Sequence, residues 1–103
     1  LVDSRLAENA KIRGGQLMIH FENMQSEFPD KIKEVRGRGL LTAFEMHDSS
    51  NLDGHQVSVE LLKRGVYAKE THKNIVRIAP ALTIEAWQID NIAESIWNVI
   101  NEI

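Results

Sequence analysis

The sequence predicts an α+β domain. Its centre is a three-stranded, mainly antiparallel sheet of the split βαβ type, with helices packed on one face and long helices at both ends. Three observations predict it. Apolar residues recur at three- and four-residue steps over Asp3–Glu27 and again over Ile84–Glu102, the period of a helix with one buried side. Runs rich in β-branched and aromatic residues at Val35–His47, Val66–Lys69 and Ile75–Ala79 read as strands. A capped helix between the first two strands is a crossover, which makes those two parallel.

In the first helix Ala7, Ala10, Gly14, Leu17, Phe21, Met24 and Phe28 share a stripe. Gly14 and Gly15 each weaken it by about 1 kcal/mol relative to alanine, so close packing against Gly14, or a kink, is expected. Phe28–Pro29 ends the helix, because a residue before proline avoids the α region. In Val35–His47, Leu40, Phe44 and Met46 fall on one face and Leu41 and Ala43 on the other, so both faces should be covered. Gly37 and Gly39 suggest a bulge or the close approach of another backbone.

Asp53 and Gln56 have the spacing of a capping box. Val57, Leu61 and Leu62 form the apolar stripe that follows, and Gly65 suits a left-handed helix end. Glu70–Asn74 is expected as the loop of a hairpin that places Ile75–Ala79 between the other two strands. Thr83 is the expected cap of the last helix, whose buried side runs Ile89, Ile92, Ala93, Ile96, Val99, Ile100 and Ile103. Trp87 and Trp97 are ten residues apart and do not stack on one helix; packing in the core or at a domain interface is expected of both.

The 103 residues suit one domain, spanning 1–103. A net charge of −3 gives no general attraction to nucleic acid or an anionic membrane, and no apolar run reaches the ~18 residues of a span. The absence of cysteine excludes disulfides, thiolate metal sites and cysteine nucleophiles, and permits a reducing compartment. The four histidines, His20, His47, His55 and His72, lack ligand spacing, so no metal is expected. The chain starts at Leu1, inside a helix, and is expected to be part of a longer protein.

One residue carries the functional reading. Arg77 stands among Ile75, Val76, Ile78 and Ala79. A guanidinium keeps its charge, so a half-buried one needs an acid. Glu70 or Glu45 could supply it locally; the alternative is a carboxylate ligand held by a bidentate fork. Arg36 and Arg38 point the same way from their strand and read as a solvated edge or as ion-pair partners between domains.

VRGRGLLTAFEM, LLKRGVYAKETHKNIVRIAPALTI and the acidic start of the last helix together resemble the C-terminal small domain of the class III pyridoxal-phosphate aminotransferases. KETH…IVRIAPAL is most similar to the ornithine branch. Asn9–Ala10 and Gly15 fit the family's first helix, and Ala81 departs from a proline common in that branch. The resemblance implies transfer of the δ-amino group of ornithine to 2-oxoglutarate. It implies a homodimeric enzyme of the cytoplasm, with pyridoxal 5′-phosphate bound by a large domain that this chain lacks. It implies that Arg77 faces the substrate carboxylate, pairing with a glutamate of the large domain when no substrate is bound. Thr71 and His72 become possible members of the active-site rim; no catalytic or cofactor-binding residue is expected here, and Lys69 does not match the Schiff-base lysine. The partners implied are amino-acid and 2-oxo-acid substrates. An acetylornithine or 4-aminobutyrate aminotransferase domain, or a stand-alone carboxylate-binding module, stays open.

Overall fold

The one strand expected over Val35–His47 is two. A computed structural model, which describes residues 4–47, 53–71, 74–81 and 83–102, places the elements in the order α1 (Ser4–Glu27), β1 (Ile32–Arg38), β2 (Leu41–Met46), α2 (Gly54–Lys63), β3 (Lys69–Thr71), β4 (Ile75–Ile78) and α3 (Ala86–Glu102). β1 and β2 form a hairpin in which Arg38 faces Leu41. The two residues between them are Gly39 and Leu40, and Gly39 has φ +57°. Tight hairpins need positive φ at the first central residue, which glycine supplies without a Cβ clash.

Among the described residues the sheet therefore has four strands, in the order β1-β2-β4-β3, with every neighbouring pair antiparallel. This corrects the three-stranded expectation while keeping the α+β class. β4 lies between β2 and β3, and α2 is the crossover that leaves β2 and β3 running the same way. β3 begins at Lys69 and continues through Glu70 and Thr71, which pair with Val76 and Ile75. The loop expected over Glu70–Asn74 is accordingly shorter; polar residues on an edge strand conceal its length from an apolar pattern.

The helices pack on one face of this sheet. Leu17, Phe21 and Met24 of α1, Phe44 and Met46 of β2, Val57 and Leu61 of α2, Val76 and Ile78 of β4, and Ile89, Ile96 and Ile100 of α3 join one buried cluster. Phe21 meets Phe44 edge to face at 5.5 Å. Each such side chain contributes about 1.5–3 kcal/mol on burial. The close approach expected at Gly14 is present: a Cβ there would lie 1.8 Å from the Gly39 carbonyl oxygen, so the β1–β2 turn rests directly on α1. A Cβ at Gly37 would meet the Met18 sulfur at 2.6 Å.

The α2 cap forms as expected. The Asp53 carboxylate accepts from the Gln56 N–H at 3.0 Å, and Gln56 Oε1 accepts from the Asp53 N–H at 3.0 Å. Gly65 adopts φ +83° after the helix. Of the expected stripe Val57 and Leu61 are buried, whereas Leu62 is exposed. α3 starts two residues later than expected: Ile84 is buried ahead of it, and the Glu85 N–H donates to Gln88 Oε1 at 2.9 Å in place of a Thr83 cap. Trp97 packs on Phe28 with ring centroids 5.1 Å apart, while Trp87 is 60% exposed.

Candidate functional site

Alternation along a strand sends successive side chains to opposite faces. Thr42, Phe44, Met46, Val76 and Ile78 face the helices and are buried, which turns Leu41, Ala43, Glu45, Ile75 and Arg77 to the other side. Across the sheet, Arg36 of β1 is opposite Ala43 of β2, Ala43 is opposite Arg77 of β4, and Arg77 is opposite Lys69 of β3. One row of this face thus reads Arg36, Ala43, Arg77, Lys69: three cations around one methyl group. The next row reads Glu34, Glu45, Ile75, Thr71.

Arg77 is exposed, not half-buried as its apolar flanks suggest, because its immediate neighbours Val76 and Ile78 point into the core and its own side chain points away from it. Neither acid considered as its local partner holds it. Glu70 is opposite Val76, so its side chain leaves from the helix-bearing side. Glu45 is engaged by Arg36 at 2.6 Å and by Lys33 at 3.7 Å. Arg77 and Lys69 form no ion pair with any described residue, although like charges directly opposite each other repel.

Of the expected rim residues, Thr71 lies on the same face as Arg77, one row away. His72 falls outside the described residues. Arg36, Ala43, Glu45 and Lys69 were not singled out as site residues from the sequence. The alternation of RGR, TAFE and AKE carried part of that signal, but the pairing of three separate strands was needed to align them.

A second polar cluster joins α1 to α3. The Asn9 side-chain amide donates to the Ile84 carbonyl at 3.0 Å, and Gln16 Nε2 donates to the Ala86 carbonyl at 3.1 Å and to Asp90 Oδ1 at 3.0 Å. His20 Nε2 is 2.9 Å from the same Asp90 oxygen. The hydrogen bonds from His20 and Gln16 hold the Asp90 carboxyl below its ordinary value of 3.8, with smaller help from the His20 and Arg13 charges. A groove of about 550 Å³ beside this seam is lined by residues of α1, the approach to α3 and its first turn, none of them from the sheet. Among the described residues no cluster of His, Asp or Glu could hold a metal, and no helix is long and apolar enough to cross a membrane.

The model of the family described as aminotransferase class-III matches residues 1–100. This chain is a class III aminotransferase sequence. It is 35% identical over 102 residues to the mitochondrial ornithine aminotransferase of Arabidopsis thaliana, covering 97% of this chain and 22% of that protein. It is 36% identical over 102 residues to the rat mitochondrial ornithine aminotransferase, covering 99% and 22%. The acetylornithine aminotransferase of Elizabethkingia anophelis superposes with a TM-score of 0.87 at 34% identity, over 98% of this chain and 25% of that one. The chain therefore spans about a quarter of the length of the class III aminotransferases it matches.

Class III aminotransferases use pyridoxal 5′-phosphate, and the residues described here do not build a pocket for it. Lys69 is exposed on edge strand β3. The groove it borders is also lined by His55, Ser58, Val59, Leu62, Ala68 and Glu70, with no arginine or second lysine to meet a phosphate. On the open sheet face Arg77 and Lys69 are exposed and lie opposite each other.

Proposed function

We propose that this chain is the C-terminal small domain of an ornithine aminotransferase, passing the δ-amino group of ornithine to 2-oxoglutarate, and that Arg77 holds the carboxylate of the 2-oxo acid. One observation carries the site: Arg77 and Lys69 lie opposite each other, exposed and with no acid of the described chain paired to either. Such an arrangement is stabilised when an anion arrives from outside, whether a glutamate of the large domain or a substrate carboxylate. A fork that trades one for the other would let a single site accept both a mono-carboxylate amine donor and a dicarboxylate. Thr71 borders the same face and His72 follows it in the chain; both belong to the proposed rim.

The cofactor is proposed to sit in the large domain, because the described residues of this chain do not fit it; the isolated chain is then inactive. The proposed assembly is a homodimer and the proposed compartment the cytoplasm. The Arabidopsis and rat relatives are named as mitochondrial and the Staphylococcus saprophyticus one is not.

The test is Arg77→Lys in the full-length enzyme. Loss of the bidentate fork removes a charged hydrogen bond of about 1.5–3 kcal/mol, so KM for 2-oxoglutarate should rise roughly tenfold to a hundredfold. The half-reaction with ornithine should suffer least. An unchanged KM for 2-oxoglutarate would remove Arg77 from the site. A second reading is an acetylornithine aminotransferase, favoured by the TM-score of 0.87 to the Elizabethkingia enzyme. Comparing kcat/KM for ornithine and N-acetylornithine decides between the donors.

A further inference from the structure

The open face of the sheet carries Glu34 and Glu45; Glu45 lies between two arginines, and Arg36 is 2.6 Å from Glu45 but 3.9 Å from Glu34. Glu45 projects from β2, whose neighbours are β1 on one side and β4 on the other. Arg36 and Arg77 are both opposite Ala43, two residues along from Glu45, so in register each is a diagonal neighbour of Glu45. Diagonal neighbours sit about 7–8 Å apart at the backbone, within reach of long side chains. That such a diagonal can be bridged here is visible on the β1 side, where Arg36 Nη2 donates to Glu45 Oε1 at 2.6 Å. Lys33 adds a weaker contact at 3.7 Å, and the Glu45 side chain is left only 21% exposed. The methyl group of Ala43 puts no bulk between the two arginines.

Glu45 is thus the acid that Arg77 would take if nothing else held it. We infer that Arg36 is a positioning residue for substrate recognition: by drawing Glu45 toward β1, it keeps the Arg77 guanidinium free for the incoming carboxylate of the 2-oxo acid. Arg36 itself touches no substrate. This rests on the reading of Arg77 as the carboxylate-holding residue, and it adds an internal competitor that sets how strongly Arg77 binds.

The experiment measures KM and kcat for 2-oxoglutarate in the full-length enzyme carrying Arg36→Gln, Arg36→Thr, Arg36→Lys, and Arg36→Gln combined with Glu45→Gln, beside Arg77→Lys. Arg36→Gln should raise KM about fivefold with kcat little changed, the size expected when a half-exposed ion pair forms in competition. Adding Glu45→Gln should return KM to within about twofold of the parent, and Arg36→Lys should stay near the parent because it still holds Glu45. Arg36→Thr repeats the first result with a residue suited to an edge strand, so a folding defect in one variant leaves the other readable. If Arg77→Lys raises KM while neither Arg36→Gln nor Arg36→Thr does, the inference fails and the reading of Arg77 stands. If those variants raise KM but Glu45→Gln gives no rescue, Arg36 acts by another route and the inference is overturned. If Arg77→Lys leaves KM unchanged, both fall together.

Discussion

On the helix-bearing side of the sheet, Phe44, Val76 and Ile78 are buried against three helices, and no buried side-chain nitrogen or oxygen among the described residues lacks a partner. On the other side of the same strands, Leu41 is 65% exposed, and Arg36, Arg77 and Lys69 line up across β1, β4 and β3. The first face is complete within the chain. The second combines an apolar group with Arg36, which Glu45 holds, and with Arg77 and Lys69, which no acid among the described residues pairs. On the same four strands one side is packed against helices and the other is left open. Substitutions that break this contrast should act on unfolding when made on the first face and on binding when made on the second.

The largest effect is expected at Phe44, fully buried and edge-on to Phe21. Phe44→Ala should cost about 3–5 kcal/mol, transfer and cavity terms together. Chemical denaturation of the chain should show a matching fall in the midpoint with little change in slope. A loss below about 1 kcal/mol would mean that the open face, not the helix-bearing one, carries the core.

The two adjacent glycines of α1 sharpen the contrast at single-atom scale. A Cβ at Gly14 runs into the Gly39 carbonyl, which is backbone and cannot rotate aside, whereas a Cβ at Gly15 meets nothing within 4 Å. Gly14→Ala should destabilise by about 1–3 kcal/mol through overpacking. Gly15→Ala should stabilise by up to about 1 kcal/mol through helix propensity. Opposite signs in the unfolding free energies of the two variants are the check; equal signs would show that the β1–β2 turn does not rest on α1.

On the open face the stability effects should nearly vanish. Arg77→Ala removes a like charge opposite Lys69 and breaks no described ion pair, so the unfolding free energy should shift by less than about 0.5 kcal/mol. A loss of several kcal/mol there would make Arg77 a structural residue and remove the basis for its proposed role.

Much of the helix-bearing face is legible in the sequence, because burial on one side writes a period. The α1 stripe from Ala10 onward, the Asp53–Gln56 cap and the Gly65 helix end were each readable from local spacing, whereas Ala7, expected in the stripe, is exposed. The β1–β2 hairpin was not. Its turn is Gly39–Leu40, with no Asn or Asp to announce it, and edge strand β1 is so polar that an apolar pattern starts late, at Val35. The row Arg36, Ala43, Arg77, Lys69 was even less accessible, since it joins residues up to 41 apart in number through register alone. Arg77 stood out as a charge among apolar neighbours, but burial was misjudged because the two beside it, Val76 and Ile78, point to the opposite face.

The smallest expected effect lies at the seam between α1 and α3. Asp90 is held below its ordinary value by hydrogen bonds from His20 and Gln16, so it binds its proton more weakly folded than unfolded. Stability from this group is present above the unfolded value of about 3.9 and is lost as pH falls through the lowered folded value. Asp90→Asn should therefore destabilise slightly at neutral pH, and the difference from the parent should close as the pH drops below 3.8. Because the carboxylate is 60% exposed, salt should shrink the neutral-pH difference as well. Unfolding midpoints of parent and variant at pH 7 and pH 3, at low and high salt, test both. A gap that persisted in acid would assign the seam to its uncharged contacts, Asn9 with Ile84 and Gln16 with Ala86, and not to the Asp90 charge.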